Sequence, residues 1–325
     1  MEKVKIGLVG TGGMGKVHYA NIEALDTAVV TAVVGGSERS RKQAEEWGVP
    51  CFGTITEMLA GADVDMVDIC TPTNMHHDMV MESLRGGRDT ICEKPIALSY
   101  SDAKEMLDTA AAMGRHLYIA QVLQFTKEVQ ILRKTIESGE LGRPLDAVFE
   151  RLSACPRWAA DGWLFDKKRS GQLYYDLHIH DLDVIVSAFG APDSFSFSSC
   201  RGSGKSYPED IRVAYKYGDM QVIGEAAWFN ADIPWTARWR VYFENGMLVN
   251  DDKGLILYRF DHEPLKYDIS DEVMISTGIN VPPCGWYYNE LKHFVECHKA
   301  GIDTPLVPAG QLLTVMKLLE EMSAE

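Results

Sequence analysis

Val4-Lys5-Ile6-Gly7-Leu8-Val9 runs straight into Gly10-Thr11-Gly12-Gly13-Met14-Gly15, an apolar strand that empties into a G-x-G-x-x-G turn. Each glycine of that spacing has its own task. The first allows the turn, and the second lets main-chain N–H groups close on a pyrophosphate. The third lets the next helix sit against the sheet with its N-terminus facing the anion. The spacing alone is weak evidence, but here it lies between a strand pattern and a helix pattern (Val17 to Leu25), with a second strand at Ala28 to Val34. That context predicts a dinucleotide turn whose contacts are Gly10, Thr11, Gly12, Gly13, Met14 and Gly15. A glycine-rich surface turn with no ligand is the alternative reading.

Working outward, apolar runs at 4–9, 28–34, 66–70, 89–92 and 117–122 alternate with amphipathic, helix-length segments at 14–25, 38–47, 54–60, 76–86 and 100–113. Such alternation predicts an α/β unit, a doubly wound parallel sheet with ligands at the carboxyl ends of its strands. After Gly142-Arg143-Pro144 the pattern changes. Runs at 145–151, 195–199, 211–217, 221–228, 236–243, 246–250 and 255–260 are alternating or rich in β-branched and aromatic residues, and Asn245-Gly246 is a hairpin signal. An open, mostly antiparallel sheet with helices at 173–189, 285–300 and 309–323 is expected there. The predicted domains are therefore 1–122, binding the dinucleotide, and 123–325, for substrate and oligomerisation.

The 325 residues exceed what one core usually holds, which fits two domains. A formal charge of −15 argues against an electrostatic hold on nucleic acid or anionic lipid, so any phosphate site is local. Seven cysteines form an odd, scattered set with no C-x-x-C and read as reduced. No basic segment precedes a long apolar run, and no apolar stretch reaches membrane-spanning length. Together these features predict a cytoplasmic protein with no membrane partner.

Two turns fall at strand ends where such a sheet has its cleft. One reads Thr71-Pro72-Thr73-Asn74-Met75-His76; the other reads Glu93-Lys94-Pro95. Pro95 disfavours helix at Lys94, so the lysine is held in an extended turn; a solvated loop lysine beside a structural proline is the alternative reading. Thr71, Pro72, Thr73, Asn74, His76, Glu93, Lys94 and Gln121 are the further cofactor-side candidates. Downstream, Asp176, His180 and Asp183 stand at i, i+4 and i+7 of a predicted helix, one stripe carrying an imidazole between two carboxylates. An imidazole steered by a carboxylate suits general base or acid work near neutral pH. A surface ion pair, or a metal site built on His178-x-His180, would use the same residues.

These elements together resemble the glucose-fructose oxidoreductase / inositol dehydrogenase / MocA (Gfo/Idh/MocA) family over nearly the whole chain. The likeness is carried by Gly10 to Gly15, Thr71 to His76, Glu93-Lys94-Pro95, Ser138-Gly139-Glu140-Leu141-Gly142, and Asp176 with His180 and Asp183. The resemblance implies a Rossmann domain plus an open α/β domain, a homodimer or homotetramer, and no metal. It implies catalytic roles for Lys94, Asp176 and His180, all three also touching substrate. The expected reaction is NAD(P)-dependent hydride transfer at a secondary alcohol or ketone of a sugar or cyclic polyol, with Lys94 and His180 meeting at one nicotinamide face. The other classes are a glycoside-cleaving enzyme that recycles its hydride internally and a non-catalytic dinucleotide sensor.

Two departures from the family pattern stand out. Where an acid would take the ribose 2′-OH the chain reads Val34-Gly35-Gly36-Ser37-Glu38-Arg39-Ser40-Arg41. With small residues, Ser37 and the basic Arg39 or Arg41 there, the expected cofactor is NAD(P) with a preference for NADP; the alternative reading is that Arg39 and Arg41 are merely exposed helix residues. After Ala120-Gln121, Gln124-Phe125 stands where the family often has Arg before an aromatic, so one relative's substrate does not carry over. Trp163, with Arg157, Trp158 and Phe165 nearby, is the aromatic substrate candidate; Tyr287 and Tyr288 are weaker ones.

Overall fold

The computed structural model describes residues 2–276, 278 and 283–324. β1 (Val4–Val9), β2 (Ala28–Val34), β3 (Cys51–Phe52), β4 (Met66–Ile69), β5 (Asp89–Glu93) and β6 (Leu117–Ala120) form one parallel sheet in the order β3-β2-β1-β4-β5-β6. β1, β4, β5 and β6 are buried along nearly their whole lengths, as strands covered on both faces must be. The connections are α1 (Gly13–Glu23), α2 (Glu38–Trp47), α3 (Ile55–Gly61), α4 (His76–Arg85) and α5 (Tyr100–Met113). Local chemistry sets several of their ends: Ser37, Thr54 and Ser99 accept from the first-turn N–H groups of α2, α3 and α5. The strand order turns outward on either side of β1 and β4, and the space beyond their carboxyl ends is the switch-point crevice of such a sheet.

Next comes α6 (Lys127–Ser138), capped by Thr126 and closed by left-handed Gly139. The second sheet comprises β7 (Pro144–Ala154), β8 (Ser194–Cys200), β9 (Asp210–Tyr217), β10 (Met220–Phe229), β11 (Thr236–Phe243), β12 (Gly246–Asp251), β13 (Gly254–Tyr258) and β14 (Leu265–Lys266). Its order is β14-β13-β12-β11-β7-β10-β9-β8, antiparallel except for the parallel pair β7 and β10. Burial alternates along β9, β10 and β11, the signature of a sheet covered on one face. α7 (Lys167–Ser170) and α8 (Ile179–Phe189) lie between β7 and β8, and α9 (Trp286–Ala300) and α10 (Ala309–Ser323) end the chain.

The expected fold class is the observed one: a parallel Rossmann sheet, then a mostly antiparallel sheet. The chain divides into a first compact unit, Met1–Phe125 with Asp271–Ala309, and a second, Thr126–Ser270 with Gly310–Glu325. The sequence puts its boundary at 122/123 and assigns everything beyond to the second domain; α9 instead closes the core of the first. Phe294 of α9 stacks on Tyr118 at 5.3 Å and meets Phe125 edge-on at 5.2 Å. The expected continuous helix over 173–189 is interrupted by a π-turn at Tyr174–His178, and α6 falls where no helix is expected.

Candidate active site

Gly10 takes φ +93°, and a methyl group there would lie 2.7 Å from the Cys70 carbonyl oxygen. Its N–H donates to Val34 at 2.9 Å. The glycine turn is therefore pinned between the ends of β2 and β4. Gly15 approaches closer still, its missing Cβ falling 2.0 Å from the Gly10 carbonyl oxygen, so α1 begins directly off the turn. Gly12, by contrast, faces open space and precedes α1 without a side-chain cap. Thr11 is buried, Met14 half-buried, and Gly12 and Gly13 exposed. Uncapped first-turn N–H groups beside a bare glycine are what a pyrophosphate needs. At the turn after β4, the buried Thr71 Oγ1 has no hydrogen-bond partner among the described residues. These features fit a dinucleotide.

The two strand-end turns are joined by His76, whose ring nitrogens lie 2.8 Å from the Pro95 carbonyl oxygen and 2.9 Å from that of Thr71. His76 is 1% exposed, so it ties the turns together from inside. Pro72 precedes the 3₁₀ turn Thr73–Met75, in which Thr73 is buried and Asn74 exposed; Gln121, at the end of β6, is buried. Lys94 is half-buried at the end of β5, its N–H donating to Glu93 Oε2 at 3.0 Å, and the Lys94–Pro95 peptide bond is cis.

Behind Glu93 lies a residue that the sequence reading missed. His18 of α1 is fully buried, its Nδ1 2.8 Å from Asp68 Oδ2 and its Nε2 3.1 Å from Glu93 Oε1. Burial, the largest single influence, would lower the imidazole's pKa; the charge and hydrogen bond of Asp68, together with Cys70, outweigh it and raise His18 well above its ordinary range. Burial, the largest single influence, would raise Glu93, yet the hydrogen bond and charge of His18, joined by the charge and backbone N–H of Lys94, keep its carboxylate below its usual value. The available signal was Asp68 itself, a charge inside the apolar strand Met66–Ile69.

In the second unit, the π-turn and α8 carry the acid and histidine cluster. Asp176 and His180 are half-buried. Asp183 is buried and accepts from Gln311 Nε2 of α10 at 2.7 Å, which fixes it as a structural anchor of α8. Asp181 is buried in a bidentate pair with Arg151 of β7, at 2.8 and 2.9 Å. His178, fully buried, bonds the Tyr215 hydroxyl at 2.6 Å. Burial and the Arg151 charge push its pKa down to about 3. The His178-x-His180 pair thus splits into a neutral buried ring and a half-buried one. Among the described residues, the one group with metal-ligand proximity is His18, Asp68 and Cys70.

Ser37 caps α2, its Oγ accepting the Ser40 N–H at 3.1 Å. Arg39 is exposed on the first turn, and Arg41 donates to the Gly36 carbonyl at 3.2 Å. Trp163 is half-buried in a 3₁₀ turn kinked by positive φ at Asp161 and Gly162. Phe165 stacks on Tyr207 at 4.4 Å, and Trp158 is 68% exposed. Tyr287 is buried in the first unit beside Val17 and Val122, with its ring toward His18, so its surroundings are those of a core residue; Tyr288 is half-buried.

The first unit is thus built as a dinucleotide-binding domain. Comparison with protein families matches residues 4–121 to the GFO_IDH_MocA oxidoreductase family, NAD-binding Rossmann fold, and residues 129–249 to the GFO/IDH/MocA C-terminal domain. The chain belongs to the Gfo/Idh/MocA family of oxidoreductases.

Among curated proteins, it is 27% identical over 189 residues to the myo-inositol 2-dehydrogenase of Thermotoga maritima, covering 58% of this chain and 55% of that protein. It is 27% identical over 322 residues to the inositol 2-dehydrogenase of Rhizobium meliloti, covering 94% and 92%. The chain spans about half the length of several curated relatives it matches, the T. maritima protein included. An oxidoreductase from Agrobacterium radiobacter, solved in complex with NAD+, L-tartaric acid and magnesium, shares the fold. Its TM-score is 0.85 at 18% identity, over 99% of this chain and 97% of that one. Among the described residues no helix is long and apolar enough to cross a membrane.

Proposed function

We propose that this chain is an NAD(P)-dependent dehydrogenase that moves a hydride between the nicotinamide and a secondary alcohol or ketone of a sugar or cyclic polyol. The observation that carries the reading is Lys94, which leaves the carboxyl end of β5, one strand beyond the switch point, with its N–H held by Glu93. The nicotinamide, when bound, supplies the hydride acceptor of the oxidative direction. Lys94 donates to the substrate oxygen and stabilises the developing alkoxide. His180 removes the hydroxyl proton, and Asp176, on the adjoining π-turn, orients the imidazole. Trp163 offers an apolar ring face to substrate C–H groups.

NADP is the cofactor this reading favours. No carboxylate follows β2 at Gly35, Gly36 or Ser37, and Arg39 and Arg41 supply guanidinium groups suited to a 2′-phosphate. The protein acts in the cytoplasm as a homodimer or homotetramer, with neither nucleic acid nor membrane as a partner.

The test is fluorescence titration with NADH and NADPH, followed by a panel of polyols, aldoses and ketosugars read at the reduced-cofactor absorbance band. NADPH is expected to bind more tightly; a Kd about tenfold tighter for NADH removes the NADP preference. Lys94→Ala and His180→Ala should each lose on the order of a hundredfold in turnover while cofactor affinity is kept. Wild-type turnover in either variant removes the role given to that residue. Product release with no net absorbance change would identify the internally recycled, glycoside-cleaving reaction instead.

A further inference from the structure

Three elements deliver charges to one buried point: α1 brings His18, β4 brings Asp68 and β5 brings Glu93. Both ring nitrogens of His18 face carboxylate oxygens, so both carry hydrogen and donate. A neutral ring would set a lone pair against one of those oxygens. The cluster has few other neighbours that titrate. Burial drives the Cys70 and Cys92 thiols up. Burial and the Glu93 charge keep the Glu290 carboxyl of α9 neutral, and burial likewise keeps the Tyr287 hydroxyl protonated. Replacing such a buried ion cluster with apolar residues is often neutral or even stabilising, so stability alone is a weak reason for its presence.

We propose that His18 is a positioning residue for Lys94 that acts through Glu93. Clamped between Asp68 and Glu93, the imidazolium fixes a carboxylate whose second oxygen accepts the Lys94 N–H, and so sets where the lysine leaves β5. Glu93 is 6% exposed and its two oxygens are divided between His18 and the Lys94 backbone. The carboxylate therefore works as a strut. His18, Asp68 and Cys70 are residue types that a metal site would use, but both His18 nitrogens are already engaged by carboxylates and the Cys70 thiol stays protonated. This inference rests on the catalytic role proposed for Lys94.

A double-mutant cycle on the full-length protein separates the two ideas. His18→Asn is expected to lower kcat about tenfold or more, with cofactor Kd and substrate KM within about threefold of wild type. Added to Lys94→Ala it should change little, the double variant staying within about threefold of Lys94→Ala alone, because no ammonium is left to position. Glu93→Gln, which keeps the shape and loses the charge, is carried through the same cycle in case His18→Asn does not fold.

Multiplicative losses in the cycle overturn the proposal while leaving the Lys94 role standing. Full turnover in Lys94→Ala overturns both. Failure of both His18→Asn and Glu93→Gln to fold assigns the cluster to stability and overturns the proposal. So does stoichiometric metal in the wild-type protein that is lost in His18→Asn.

Discussion

A methyl group on Gly15 would collide with the Gly10 carbonyl oxygen at 2.0 Å, whereas one on Gly12 would meet nothing within 4 Å. The same motif therefore holds one glycine that the fold requires and one that only a ligand requires. Gly15→Ala cannot be relieved by a side-chain shift, because the obstacle is backbone; it should lower stability by about 2 kcal/mol or more and weaken cofactor binding as well. Gly12→Ala should leave the unfolding midpoint within about 1 kcal/mol of wild type yet raise the Kd for NAD(P)H more than about tenfold. Thermal denaturation and fluorescence titration of both variants check the pair, and equal behaviour of the two would remove the distinction. The placement of the glycine turn ahead of α1 and of Lys94 at the end of β5 was legible because each belongs to a contiguous motif. His18 was not, since its role exists only where α1, β4 and β5 meet.

Elements that carry histidines also set the pH range in which the fold holds. His178, beside the start of α8, stays neutral in the folded state down to about pH 3, while the unfolded chain protonates it near 6.5. The unfolded state then binds more protons as pH falls, so stability is lost on acidification below about 6.5, by about 2 kcal/mol at pH 5 from this group. His18 has the opposite sign. Its folded pKa is raised, so its contribution is complete below about 6.5 and declines as pH climbs toward the folded value. Denaturant unfolding between pH 5 and 8 should show both limbs, with His178→Gln flattening the acid side and His18→Asn the alkaline side. Parallel limbs in wild type and variants would refute both assignments.

Sequence periodicity located the span 173–189 but not the π-turn within it, because an extra residue in one turn leaves the apolar pattern readable on either side. The hairpin at Asn245-Gly246 forms for another reason than the turn signal implied. Gly246 pairs with Phe243 as the first residue of β12, and a methyl there would lie 2.9 Å from the Tyr258 carbonyl oxygen.

At the scale of the whole molecule, the order of elements was legible and their grouping was not. Periodicity reports which face of a segment is apolar and is silent on which core receives it. α9 illustrates the gap: it lies far along the chain from β6, yet Tyr287, Leu291, Phe294 and Val295 are all buried in the first unit. Further ties come from the Tyr118 hydroxyl donating to Ile302 at 2.9 Å and from His298 bonding Asp89 at 2.7 Å. At roughly 1.5–3 kcal/mol for each large apolar side chain, four such residues contribute about 6–12 kcal/mol. That is comparable to the whole net stability of a typical domain, about 5–15 kcal/mol. A fragment ending at Val122, where linear reading would cut, should therefore lack a cooperative unfolding transition and fail to bind NAD(P)H. Joining residues 271–309 to it through a flexible linker should restore both. Cooperative melting with cofactor binding by the short fragment would show that the dinucleotide unit is continuous in the chain after all.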